Sequence, residues 1–205
     1  MTAWQIPEPL ATGWQMRTPD SAKISAHSLD DGRFRQTIEH APLPGVTPAM
    51  CLWFLERLHR TLTWENHTTL GYRLWHPRDH IFFARHGPFG PGSRWHIVEA
   101  FGAERRFLLD QVFYVTQLGD TGFTMEIRKL GHPVAIVNER WRPTPAGLVW
   151  TVEMTVGTTA PGSRAVTRRI VRRRMVFLNR WRQHNVEEVG NLAHFLPDLY
   201  NQGGD

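Results

Sequence analysis

Cysteine is nearly missing from this sequence: Cys51 stands alone. One cysteine excludes an internal disulfide and fits a reducing compartment, so cytoplasmic residence is expected. No apolar run reaches membrane-spanning length, and no membrane partner is expected. The first residues, MTAWQIPEPL, have neither a positive start nor a hydrophobic centre, so no secretory signal is expected. Lysine is scarce too. Only Lys23 and Lys129 occur, so the net charge of +5 is carried almost wholly by arginine. Internal repeats and low-complexity tracts are absent.

The arginines concentrate at residues 168–174, with Arg180 and Arg182 beyond. Such a block can bind phosphates. No zinc finger, RNP-type aromatic motif or helix-turn-helix signature accompanies it, so a solvated helix entry or interface is the expected role, without nucleic acid. Homodimerisation is left open. Aromatics are plentiful: nine tryptophans and eleven phenylalanines. Beyond filling a core, that many large rings suggest an aromatic-walled cavity for a small molecule.

The 205 residues suit one domain. Residues 1–30 show no sustained period and read as an N-terminal arm to a domain spanning 31–205. GRFRQTIEH (32–40) alternates as a strand does, with Phe34 and Ile38 on one side. Thr47 and Pro48 form a helix start, cap then proline, before AMCLWFLERLHR. The segment from Gly71 to Trp95 reads as two extended ends around a Gly-Pro-rich turn. Five strand patterns follow, SRWHIVEAFG, QVFYVTQLG, GFTMEIRKLG, PVAIVNERW and GLVWTVEMTVG, until Pro161 and Gly162 break the run. Strands at this spacing predict an antiparallel meander. An arginine-rich stretch then enters a long helix. The expected class is α+β: a curved antiparallel sheet gripping a C-terminal helix, with a cavity between them.

Within that helix Phe177, Trp181, His184, Glu188, Leu192 and Phe195 recur at steps of three and four on one face. An imidazole and a carboxylate on an apolar face must be paired, hydrogen-bonded or bound to a metal. Two ligands one turn apart suit a buried divalent cation, and a self-satisfied ion pair is the plainer alternative. In SRWHIVEAFG, Trp95, Ile97, Glu99 and Phe101 share the heavier face, which should point inward and carry Glu99 with it. In HPRDH the proline prevents a helical pairing of His76 with His80. His80 is favoured as the inward residue because it leads into IFFA and would share a face with Phe82. His80, Glu99, His184 and Glu188 form a nitrogen and oxygen donor set without thiolate, suited best to zinc and leaning catalytic.

PGVTPAMCLWF (44–54), GYRLWHPRDH (71–80), HIVEAFG (96–102) and HNVEE (184–188) occur in an order that resembles a known family, the zinc-dependent hydrolases of 2,4-diacetylphloroglucinol and the phloretin hydrolases. The resemblance implies a Bet v 1-like helix-grip fold and Zn2+ held by His80, Glu99, His184 and Glu188, with Glu188 preferred to Glu187. It also implies hydrolysis of the carbon–carbon bond between an acyl group and a phenolic ring, with an aromatic ketone as substrate and Tyr72 near it. Tyr72 and His76 are the candidate acids that return a proton to the ring. The competing expectation is a carrier of the same fold that holds an aromatic or polyketide-like molecule without chemistry.

Overall fold

The computed structural model describes residues 4–159 and 163–203. Ten strands and three α-helices follow one another as β1 (Ala22–Ser28), β2 (Phe34–His40), α1 (Pro48–Arg57), β3 (Thr61–Trp64), β4 (His67–Leu70), α2 (Gly71–Trp75), β5 (His80–His86), β6 (Arg94–Ala100), β7 (Leu108–Gly119), β8 (Gly122–Lys129), β9 (His132–Thr144), β10 (Gly147–Val156) and α3 (Arg164–Asn201). Eight strands make one antiparallel sheet in the order β1-β2-β10-β9-β8-β7-β6-β5, and β3 and β4 form a separate hairpin. The five expected strands after Arg94 are β6 to β10, a continuous meander. β2 returns to pair with β10, which brings the N-terminal hairpin beside the last strand. With α3 lying across this sheet, the architecture is a helix grip.

Local chemistry accounts for the elements. The Thr47 side chain accepts the Met50 N–H at 3.3 Å and Pro48 supplies the first turn of α1. The β7–β8 turn needs Gly122: its φ is 134°, and a Cβ there would lie 1.9 Å from the Glu139 carbonyl oxygen on β9. The core is aromatic, with Trp95, Phe123, Trp150, Phe54 and Phe195 almost wholly buried.

Three expectations change. Residues 22–28, read as arm, form the edge strand β1, where small or apolar Ala22, Ile24 and Ala26 alternate with polar residues but bury little. GYRLW is a short helix rather than an extended end. His80 and Phe82 do not share a face, because a bulge between them shifts the register of β5 against β6. Phe83 points into the core beside His80, while Phe82 packs on Trp4 outside. The Pro161–Gly162 break lies outside the described residues.

Helix α3 has two characters. Arg168, Arg169, Arg172 and Arg173 of the arginine block are exposed. From His184 to Asn191 every side is buried, with the sheet on one side and α2, its following turn and the N-terminal segment on the other. No helix among the described residues is long and apolar enough to cross a membrane.

Candidate metal centre

Two elements carry two donors each to one point. Glu99 on β6 is the direct cross-strand partner of His80 on β5, so antiparallel pairing sets them side by side. On α3 His184 and Glu188 lie one turn apart, facing that pair. His80 Nε2 lies 3.5 Å from Glu99 Oε1 and 3.5 Å from Glu188 Oε2. His184 Nε2 lies 3.8 Å from Glu99 Oε2 and 3.7 Å from Glu188 Oε2. These spacings are too long for good hydrogen bonds. They are close to the separations of neighbouring donors around a cation with bonds of about 2.0–2.2 Å.

Proton bookkeeping sharpens the arrangement. His80 Nδ1 donates to the Tyr72 carbonyl at 2.7 Å, and His184 Nδ1 donates to Asp79 Oδ2 at 3.0 Å. With Nδ1 engaged in this way, each ring turns its Nε2 toward the carboxylates, the atom that a neutral imidazole offers to a metal. Both Nε2 atoms are buried and have no hydrogen-bond partner. Such orphans are costly, and a cation would satisfy both at once. The donors present therefore fit a divalent metal, with each imidazole oriented through its other nitrogen as metal-ligating histidines are.

A layer of hydrogen bonds fixes the four donors. Asp79 also accepts Gly102 N–H at 2.9 Å, Ala103 N–H at 3.2 Å and Arg78 Nε at 2.8 Å. Burial alone would raise its carboxyl, but the His184 hydrogen bond and the His76 and Arg78 contacts hold it well below the usual carboxylate range. Tyr72 donates its hydroxyl to Glu99 Oε1. Asn185 Nδ2 donates to Glu188 Oε1 at 2.8 Å, while Asn185 Oδ1 accepts from His40 Nε2 at 3.2 Å. Burial would push Glu188 up; the His184, His80 and His76 rings together outweigh it and draw the carboxyl down. Burial opposes charge on His184 as well, yet Glu188, Asp79 and Glu99 lift it to about 9. That lift measures how negative the site is without a cation.

His80, Glu99, His184 and Glu188 are thus brought together. Tyr72 lines the same pocket. His76 does not line it: it stacks behind His184, accepts Asp79 N–H at Nδ1 and donates Nε2 to Glu187 Oε2 at 3.1 Å. Burial and the neighbouring His184 bring His76 down to about 4, so it is neutral.

Three participants escaped sequence reasoning, Asp79, Asn185 and Glu139, and Glu187, set aside as a ligand, has a part as the partner of His76. Glu139, fully buried on β9, accepts from Trp150 Nε1 at 2.6 Å and lines the pocket. Burial, then Glu188 and Glu99, raise its carboxyl well above the ordinary range, which leaves it protonated. Glu139 did carry a signal, since Val137, Glu139 and Trp141 share a strand face. The pocket between these groups is small, about 50 Å³, with aromatic walls that include Trp75, Trp95 and Phe123.

No family model matches the chain, and no curated protein matches it. Among solved structures it is similar to protein Ms6760 from Mycobacterium smegmatis, at 12% identity and a TM-score of 0.51, over 83% of this chain and 95% of that one. It is also similar to the di-domain ARO/CYC BexL from the BE-7585A biosynthetic pathway (11% identity, TM-score 0.49, 78% of this chain and 50% of that one) and to Ara h 8.0201 (12%, 0.41, 82% and 99%). At such identities the likeness is one of fold alone.

Proposed function

We propose that this chain is a metal-dependent hydrolase that cleaves the bond between an acyl carbonyl and a phenolic ring. The observation that carries the reading is the pair of buried, unpartnered Nε2 atoms on His80 and His184, turned toward Glu99 and Glu188. With two nitrogens, two carboxylates and no thiolate, zinc is the cation that suits the set best. A cation of this kind supplies Lewis acidity and lowers the pKa of water toward neutrality.

The protein's own groups supply the rest. The aromatic walls keep bulk water away from the reacting carbonyl. In the hydrolysis, water adds to the acyl carbon and the bond to the ring carbon breaks. Its electron pair passes into the keto form of the ring as an enolate, and a proton returns to that carbon. Of the two expected donors, Tyr72 reaches the pocket, whereas His76 stands behind His184 and acts by orientation. Glu139 is a second group that holds a proton there. The products are a carboxylic acid and the deacylated phenol. Metal quantification on protein purified without added zinc tests the reading, together with loss of the ultraviolet band of acylphloroglucinols. About one equivalent and turnover are expected; a metal-free protein without turnover refutes it.

A second reading is a carrier of the same fold. It is favoured by the possibility of counting the four residues as two buried His–Glu pairs, and by walls made largely of rings. A carrier would bind the same ketones and return them unchanged.

A further inference from the structure

The pocket at the four donors does not end the hollow. A second chamber of about 550 Å³ lies between strands β7 to β10 and the first half of α3, and it shares Leu109, Phe113, Val137 and Trp181 with the inner pocket as a common wall. The two differ in scale. The inner 50 Å³ has room for a small polar group, on the order of a few waters, and not for a ring. The outer volume is that of a drug-sized ligand, about 300–1,000 Å³.

Their chemistry differs as well. The inner pocket holds Glu99, Glu139, His184 and Glu188. The outer chamber is walled by Val134, Val156 and Met154 of the sheet and by Val171 and Leu178 of α3, so that most of its surface is apolar. Ile170, also on its lining, is 50% exposed, an apolar side chain held in water at the chamber's edge. Burying that much apolar surface favours an apolar occupant.

From this contrast we infer that the substrate is a two-part molecule: a carbonyl head that enters the inner pocket and a long apolar tail, on or beyond the ring, that fills the outer chamber. The inference rests on the hydrolase reading for the identity of the reacting end, and on the chamber alone for the tail. Short acetyl compounds would leave most of the hollow unfilled. Each added methylene that reaches the chamber should tighten binding by roughly fourfold until the space is full.

Methyl alkyl ketones from butyl to dodecyl test this, because they present the head and the tail but have no aryl leaving group. Binding to the full-length, metal-loaded protein is followed by tryptophan fluorescence, since Trp181 stands in the shared wall. Affinity is expected to climb with chain length. Met154→Trp should abolish the climb for the longest chains while leaving metal content and butyl ketone binding unchanged. Should Met154→Trp fail to fold by circular dichroism, Val156→Phe fills the same space from the last residue of β10. Affinity that stays flat with chain length, or a climb that survives a folded, chamber-filled variant, overturns the proposal. A parallel assay on acetylphloroglucinol and on acetylphloroglucinol with a dodecyl chain on the ring separates the two ideas. Chain-dependent ketone binding without turnover refutes hydrolysis and leaves the chamber standing; turnover with flat binding does the reverse.

Discussion

His80 and Glu99 face each other across adjacent antiparallel strands, and the bulge that follows His80 keeps the histidine inward while Phe82 turns out. One irregularity in β5 therefore aims a nitrogen donor at a carboxylate that strand parity had already turned inward. The α3 pair meets it from the other side. Neither pair closes the site alone, so donor removal from one element should disable both.

Substituting His184→Ala tests that dependence. Zinc content should fall from about one equivalent to none, and turnover should vanish with it, because only one imidazole and two carboxylates remain. Normal zinc and activity in a folded variant would refute the assignment.

Metal removal should also lower stability. A ligand at a hundredfold excess over its dissociation constant stabilises the native state by about 2.7 kcal/mol. For a domain of this size that corresponds to roughly 5–10 °C in Tm. Chelator should lower the melting temperature of the wild type by that amount and leave His184→Ala unmoved; equal melting curves with and without chelator would contradict a bound cation.

Asp79 positions His184 through Nδ1 and is itself tied to two backbone N–H groups. Asp79→Asn keeps the shape while weakening the hold on the imidazole. Zinc affinity, read by competition with a chelating dye, should fall about 10–100-fold. An unchanged affinity would mean that His184 needs no orientation from Asp79.

Much of this was legible beforehand. The strands β6 to β10 alternate apolar and polar residues because one sheet face lines the core, and the same parity turned Glu99 inward. The helical stripe of α3 gave His184 and Glu188. The remainder left a weaker trace or none. Strand β1 is an edge with almost nothing to bury. Asn185 and Glu187 lie off the apolar stripe: Asn185 is buried against His40 of β2, and Glu187 against the turn after α2. No periodicity announces a helix that polar groups surround. Asp79 sat beside a residue already singled out, but its role depends on where a turn places it.

Glu139 predicts a pH effect of definite sign. Its folded-state value is raised above the unfolded one, so the stability that its protonated form contributes is present in full below the unfolded value. It is lost progressively as the pH rises from about 4.5 toward the folded value. Glu139→Gln stays neutral and can still accept from Trp150 Nε1. In chelator, the variant should be more stable than the wild type at neutral pH, and the difference should shrink as the pH falls to the ordinary carboxylate range. Parallel stability curves across that range would show that Glu139 is not held protonated.

Gly190 offers a test of the packing behind the site. In a helix interior alanine is favoured over glycine by about 1 kcal/mol, so Gly190→Ala looks stabilising from α3 alone. The structure reverses that sign. A Cβ there would lie 2.6 Å from Cδ and 2.8 Å from Cγ of Arg17. The Arg17 guanidinium is held by the carbonyls of Ala41 and Pro42 at 2.9 and 3.0 Å, so its stem cannot swing away without losing both bonds. Overpacking of this kind costs about 1–3 kcal/mol, enough to outweigh the propensity gain. Denaturant titration should show Gly190→Ala less stable than wild type, and less destabilised when introduced into Arg17→Ala, where the stem is gone. A stabilising Gly190→Ala in the wild-type background would mean that Arg17 does not strap the N-terminal segment across α3.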